Sequence, residues 1–322
     1  MKHDDNTVEQ ILKMSKQGMS SRQISHALWG SPSKKSTIND ILARMRDETG
    51  LVEAKYGANI LFIDLEVSAT IAATFPRFKA NISPQAVIQE PYVLTAAWAK
   101  LNTSAPHDVE YDSLGLHQLP TWRDGDYSND ILLIEQLWEL LDEADITIAH
   151  NASFDDGWMN TRFAYHGMSP PSPYKVVCTL KALRKHFSLP SNSLDSATRY
   201  FELERKLSTS GIGLWLDCMN GDDDAMNQML EYNRGDIPTL VSLYYKVRPF
   251  MKNHPNVALH HNDDRVRCNS CGSDDMDKMV GKHAYTNLSK FETYRCGNCG
   301  SIKRSRKNVK TKEQMQNTLM NA

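Results

Sequence analysis

Two carboxylates separated by one residue, Asp64 and Glu66, close the stretch Ile60-Leu61-Phe62-Ile63-Asp64-Leu65-Glu66. The four apolar residues ahead of them, preceded by Gly57, predict a short buried strand. Residues two apart on a strand share a face, so both acids should project side by side from its end. Like charges placed there repel and lose hydration, a cost that a bound cation offsets. The alternative is a strand that stops at Ile63 and leaves both acids solvated. Two further clusters carry acids. His150-Asn151-Ala152-Ser153-Phe154-Asp155-Asp156 follows the apolar run Asp145–Ala149 and leads into a helix expected over Trp158–His166. Strand ends of this kind are where α/β proteins place polar sites. Phe154 is expected in the core and Asp155 outward, either as a site residue or as an acid at a helix N-terminus. Asp156 is the substitute should Asp155 turn inward, and His150 is expected to be a satisfied strand-end histidine rather than a phosphate contact. Tyr232-Asn233-Arg234-Gly235-Asp236 follows a helical run, Asp223–Glu231, and opens a second helix, Ile237–Phe250, with Pro238 near its start. Tyr232 and Asp236 would share a face on a continuous helix; otherwise they are a core tyrosine and a capping acid.

The elements that must position these acids read as an α/β domain. Strands are expected over Tyr92–Leu101 and His107–Leu114, an amphipathic helix over Ser128–Ala144, and strands over Asp145–Ala149 and Val176–Cys178. Helices follow around Leu180–His186 and Leu194–Phe201. This order gives a mixed sheet with helices packed on it. Val67–Pro91 reads as a long polar loop beside the acids. The Gly- and Ser-rich segment Arg205–Gly213 either lines a substrate path or is an ordinary loop.

Charge divides the chain. Residues 51–264 carry 17 Lys and Arg against 28 Asp and Glu, whereas residues 265–312 carry 12 against 4. Separate modules are expected, and a basic end suits nucleic acid or is a solvated tail. No apolar stretch is long enough to span a bilayer. The first residues lack the apolar core of a secretory signal, so a cytoplasmic protein without membrane contact is expected. Cys268-x-x-Cys271 and Cys296-x-x-Cys299 have the spacing of a tetrahedral Zn²⁺ site. They resemble a zinc ribbon over 265–302, holding one structural ion, with strands near Lys278–Val280 and Phe291–Arg295. A redox role for the pairs fits the two-pair spacing less well. Residues 303–322 are expected to form a basic, partly disordered tail, with Lys303, Arg304 and Arg306 available to phosphates. Residues 1–50 read as three short helices. They resemble a helix-turn-helix, in which Lys34, Lys35, Ser36, Thr37 and Asn39 open the groove-facing third helix; a plain packing module has the same pattern.

Taken in order, Asp64-x-Glu66, Asn151-x-x-Phe154-Asp155 and Tyr232-x-x-x-Asp236 resemble the three motifs of the DEDD, or DnaQ-like, 3′→5′ exonucleases of the ribonuclease H-like superfamily. Tyr232 matches the DEDDy branch; the histidine branch would require His at position 231, which is Glu. The resemblance covers roughly residues 57–252 and leaves the insertion after Glu66 unexplained. It implies an RNase H-like mixed sheet flanked by helices, and hydrolysis of nucleic acid, DNA first, to nucleoside 5′-monophosphates with two Mg²⁺ or Mn²⁺ ions. By resemblance Asp64 bridges both ions, Glu66 and Asp236 complete the site that generates the nucleophile, Asp155 holds the second ion, and Tyr232 orients the attacking water. Alternatives are a DNA-binding regulatory or recruitment protein with an inert nuclease fold, or an endonuclease or RNase using the same acids. The chain carries no polymerase motif, so a proofreading role would serve a polymerase or another replication or repair protein as partner.

Overall fold

The computed structural model describes residues 5–16, 19, 21–31, 34, 37–39, 41–42, 57–75, 81–203 and 211–319. The chain forms two compact units, Met1–Lys55 and Tyr56–Ala322. Among the described residues no helix is long and apolar enough to cross a membrane.

In the first unit, helices α1 (Asp5–Lys16) and α2 (Ser21–Trp29) join helical residues 37–39 and 41–42 around a small core. Ile11, Ile24, Ile38, Ile41 and Leu42 are buried together there. Each segment is amphipathic, so no helix can bury its stripe without the others.

The second unit is built on a sheet whose strands are β1 (Asn59–Val67), β4 (Val93–Asn102), β5 (Glu110–Gly115), β6 (Ile146–Ala149) and β7 (Lys175–Cys178). Their order is β5-β4-β1-β6-β7. β1 runs antiparallel to β4 and parallel to β6, and β6 is parallel to β7. The central strands are apolar on both faces because both faces are covered. Leu61, Ile63 and Leu65 face one core cluster; Ile60 and Phe62 face the other. Helices α3 (Pro120–Arg123), α4 (Ile131–Glu143), α5 (Ser153–Tyr165), α6 (Thr179–His186), α7 (Leu194–Tyr200), α8 (Ile212–Met219) and α9 (Asp223–Val247) complete the layers. Gly211 and helix α8 occupy the end of the expected 205–213 loop, whose earlier residues lie outside the described ones. The segment expected as a loop over 67–91 contains a small antiparallel pair, β2 (Ile71–Ala72) and β3 (Val87–Gln89). Its short strands were invisible to periodicity, which needs at least four residues.

Two tertiary devices fix the helices. Asp130, fully buried, accepts from the Val93 amide at 3.0 Å and from Arg162 at 2.8 and 2.6 Å. His166 donates to the same carboxylate at 2.7 Å. This buried, fully bonded pair ties β4 to α5. Breaking it would strand one charge in the core at a cost of about 3–5 kcal/mol. The second device is α9. The expected pair of helices flanking 232–236 is one continuous helix that runs through Pro238. Proline there withholds a donor from the Arg234 carbonyl. Arg234 is exposed, so solvent can serve that carbonyl. Packing of Ile237, Leu240, Leu243, Tyr244 and Val247 outweighs the lost bond.

The C-terminal part of this unit is an antiparallel sheet of β8 (Met276–Tyr285), β9 (Lys290–Cys296) and β10 (Ile302–Asn308), in the order β10-β9-β8. Residues 303–308, expected to begin a disordered tail, are thus a paired strand, and α10 (Lys312–Gln316) follows. Backbone pairing to β9 satisfies a segment whose composition alone reads as solvated.

His254 ties the segment that leaves α9 back to that helix. Its Nδ1–H donates to the Pro255 carbonyl at 2.7 Å, and the Tyr244 hydroxyl donates to Nε2 at 2.8 Å. Burial pushes its pKa from 6.5 down to about 4. The depressed value means that its contribution is complete above pH 6.5 and is lost as pH falls from there to about 4. The loss amounts to about 3 kcal/mol. Ring signals of His254 should therefore show no protonation near pH 6.5; a midpoint there would contradict the burial.

Candidate active site and metal centres

The first candidate site forms where β1 outlasts its parallel neighbour. β6 pairs with Ile60, Leu61 and Phe62 only, whereas β4 follows β1 to Val67. Beyond Phe62 one edge of β1 is therefore open. Asp64 and Glu66 extend the face that carries Ile60 and Phe62. Helix α9 lies over that face and delivers Asp236. The carboxylates of Asp64, Glu66 and Asp236 each offer an oxygen, all within 4.8 Å of one another. Asp236 is buried; Asp64 and Glu66 are half-buried.

Asp155 arrives at the open edge. Asn151 turns the chain at the end of β6 with φ +66°, a left-handed conformation that asparagine tolerates better than most residues. Its carbonyl accepts from the Phe154 amide at 2.8 Å. Helix α5 therefore starts at Ser153, earlier than expected. Its first turn carries Asp155 to β1, where Oδ1 accepts from the Leu65 amide at 3.2 Å. The expected orientation of this turn is reversed: Phe154 is 44% exposed and Asp155 only 2%. The carboxylate goes inward because it meets an unpaired strand amide there, which the aromatic ring cannot satisfy. Burial, followed by the nearby charges of Asp64 and then Glu66, raises its pKa well above the ordinary carboxylate range. Asp155 stands beside the tight group of three rather than within it. Four carboxyls thus converge on the end of β1, all with oxygen donors and no sulfur or imidazole. This donor set suits Mg²⁺ or Mn²⁺.

The remaining expected residues divide. Tyr232 is half-buried one turn before Asp236 on the continuous helix, so the two share a face. Asp156 points elsewhere and accepts from the Tyr174 hydroxyl at 2.6 Å. His150 is held by Thr179 at 2.9 Å and by the Asn192 carbonyl at 3.1 Å. No sequence motif marks Asn233 as a site residue. It is fully buried and donates to Asp64 Oδ2 at 2.7 Å. Its place between Tyr232 and Asp236 was the only available signal.

The second candidate centre is the cluster Cys268, Cys271, Cys296 and Cys299, whose Sγ atoms also lie within 4.8 Å of one another. The Gly272 amide donates to the Cys268 carbonyl at 2.8 Å, and the Gly300 amide to the Cys296 carbonyl at 2.9 Å. Both glycines take positive φ, +78° and +74°, as these two matching turns require. Four converging thiols fit a tetrahedral soft-ligand metal, foremost Zn²⁺.

Among the residues expected to meet nucleic acid, Lys303 donates to Ser270 at 2.6 Å and Arg304 stacks over Phe291 at 4.0 Å. Arg306 is exposed. Lys34 sits 5.0 Å over the Trp29 ring, Asn39 accepts from Ser21 at 2.5 Å, and Thr37 is half-buried. Lys35 and Ser36 lie outside the described residues.

The crowded carboxyls make a thermodynamic prediction for metal-free protein. A raised acid contributes stability that is complete below the unfolded value of 3.8 and lost as pH rises through the folded value. Asp155→Asn mimics the neutral form and keeps an acceptor for the Leu65 amide. In chelator at neutral pH it should melt at or above the wild-type temperature, and the difference should shrink toward pH 4. A variant that melts lower at every pH would show that the charge is not the burden.

A solved structure titled "3'-end specific recognition of histone mRNA stem-loop by 3'-exonuclease" aligns over 73% of this chain and 82% of its own. Identity is 11% and the TM-score 0.32. No curated protein matches. Residues 109–248 match the family model of the RNase_H superfamily, RNase_H_2, and the mixed five-stranded sheet that they complete with β1 and β4 is consistent with an RNase H-like fold.

Proposed function

We propose that the chain is a metal-dependent 3′→5′ exonuclease that hydrolyses nucleic acid, with DNA as substrate, to nucleoside 5′-monophosphates. The observation that carries this reading is the convergence of Asp64, Glu66 and Asp236 within 4.8 Å, with Asp155 bonded to the same strand. Carboxylates crowded in this way are costly without cations and useful with them. Two bound Mg²⁺ or Mn²⁺ ions would supply Lewis-acid charge and a water of lowered pKa. Asp64 would serve both ions, Glu66 and Asp236 would complete one position, and Asp155 would hold the other. Tyr232, one turn from Asp236, would orient the attacking water. In the reaction the water oxygen bonds to phosphorus, the bond to the 3′ oxygen breaks, and that oxygen takes a proton.

The flanking parts supply what an acidic catalytic domain lacks. We read residues 1–50 as a helix-turn-helix, residues 57–252 as the nuclease domain and residues 265–302 as a zinc ribbon. Lys34, Lys35, Ser36, Thr37 and Asn39 at one end, and Lys303, Arg304 and Arg306 at the other, would contact nucleic acid. One Zn²⁺ on the four cysteines would be structural, because four protein ligands leave no open position.

End-labelled single- and double-stranded DNA and RNA, incubated with Mg²⁺ or Mn²⁺, should be shortened from the 3′ end by the wild type. Asp64→Ala should lose about a thousandfold in rate, roughly 4 kcal/mol of transition-state stabilisation. Equal cleavage by the variant, or a product ladder starting at the 5′ end, refutes the proposal. The zinc reading predicts one zinc per chain by elemental analysis and a lower melting temperature after chelation or in Cys296→Ser. Unchanged melting after complete zinc removal would exclude a structural role.

A further inference from the structure

We infer that Asn233 is a positioning residue that sets the orientation of the Asp64 carboxylate for cation binding. The inference rests on the proposed metal-dependent site and adds a residue to it. Asn233 lies on α9 between Tyr232 and Asp236 and is fully buried. Its Nδ2 donates to Asp64 Oδ2 at 2.7 Å and to the Asp64 carbonyl at 3.2 Å. Its Oδ1 accepts from the Thr95 hydroxyl at 3.1 Å. Thr95 is itself fully buried on β4, directly opposite Glu66.

The chemistry of these partners allows one orientation of the amide. Both Asp64 oxygens can only accept, so Nδ2 must face them and Oδ1 must face Thr95. The amide is therefore a rigid clasp between three elements: β1 through Asp64, β4 through Thr95, and α9 through its own backbone. It fixes Asp64 in two ways. The bond to the carbonyl locates the strand, and the bond to Oδ2 selects the side-chain rotamer. Asn233 also supplies a neutral donor where a second acid would add to the repulsion. Asp236 stands three residues further along the same helix. The clasp therefore holds the Asp64–Asp236 spacing as well as the Asp64 orientation. Outer residues that hold a ligand in this manner change metal affinity by about 10–100-fold when removed.

The test is Mn²⁺ binding to the full chain, followed by electron paramagnetic resonance and compared with the metal dependence of cleavage. Asn233→Ala should bind Mn²⁺ at least about tenfold more weakly, with the oligonucleotide KM little changed. Its cleavage rate should recover toward wild type as Mn²⁺ is raised, a rescue that a purely structural defect would not show. Asn233→Asp keeps the shape and the Thr95 bond but turns an acceptor toward Asp64, so it should lose more. Asn233→Ser, which is uncharged but too short to reach Asp64, covers the case in which the alanine variant does not fold. Thr95→Val, which leaves the donor in place, should lose less than any of these. Wild-type Mn²⁺ affinity in the Asn233 variants overturns the inference. A wild type that binds Mn²⁺ through Asp64 but cleaves no nucleic acid removes the nuclease reading and leaves the clasp to be decided by the binding data. A wild type whose Mn²⁺ binding is unaffected by Asp64→Ala removes both.

Discussion

Like-charge crowding at the end of β1 is the constraint on which the rest of this molecule depends. Asp64, Glu66 and Asp236 share a space of 4.8 Å, and Asp155 is bonded to the same strand with its pKa pushed up by burial and by Asp64. No protein folds toward such an arrangement for stability. Each carboxylate gives up hydration and gains a repulsive neighbour. The arrangement persists because the surrounding packing over-determines it, as local strain at functional sites generally requires.

The devices that enforce it are ordinary ones placed at the right points. β6 stops pairing after Phe62, which leaves an edge for Asp155 to enter. The Asp130–Arg162 pair ties α5 to β4 and so fixes the helix that carries Asp155. Helix α9 continues through Pro238, so Tyr232, Asn233 and Asp236 keep a constant phase over the sheet. A kink at residue 236 would separate them. Further along the sheet-facing side of the same helix, Tyr244 packs edge-to-face on Phe62 at 5.3 Å. The core of the sheet and the acids at its end are therefore aligned by one rigid element.

The C-terminal sheet follows a different economy. Its strands are mostly exposed, with Phe291 and Thr293 among its few buried side chains. A sheet of this size buries too little apolar surface to hold itself. Cys268, Cys271 and Cys296 are its buried cluster, with Cys299 packed against them. Basic residues on β10 are paired in the strand and partly engaged by Ser270 and Phe291. Any anion they meet would therefore face a preformed surface rather than a loose tail.

Much of the sheet could be read directly from the chain. The apolar runs of β1, β4 and β6, the stripe of α4 and the cysteine spacing are local signals, because strand and helix periodicity and ligand spacing are properties of consecutive residues. Asp64 and Glu66 were identifiable for the same reason. Other features were not local. Phe154 and Asp155 exchanged their expected places because an unpaired amide on β1 lies 90 residues away in sequence. The break expected at 232–236 vanished because burial along α9 outweighs one proline. Residues 303–308 became a strand because β9 offered an edge to pair with. Asn233 gained its importance from Asp64 and Thr95, more than 130 residues before it. The sequence by itself determined which groups are acids, thiols and apolar stripes. Only the tertiary structure decided which acids meet and which polar groups hold them, since hydrogen-bond satisfaction and burial depend on neighbours that chain order does not reveal.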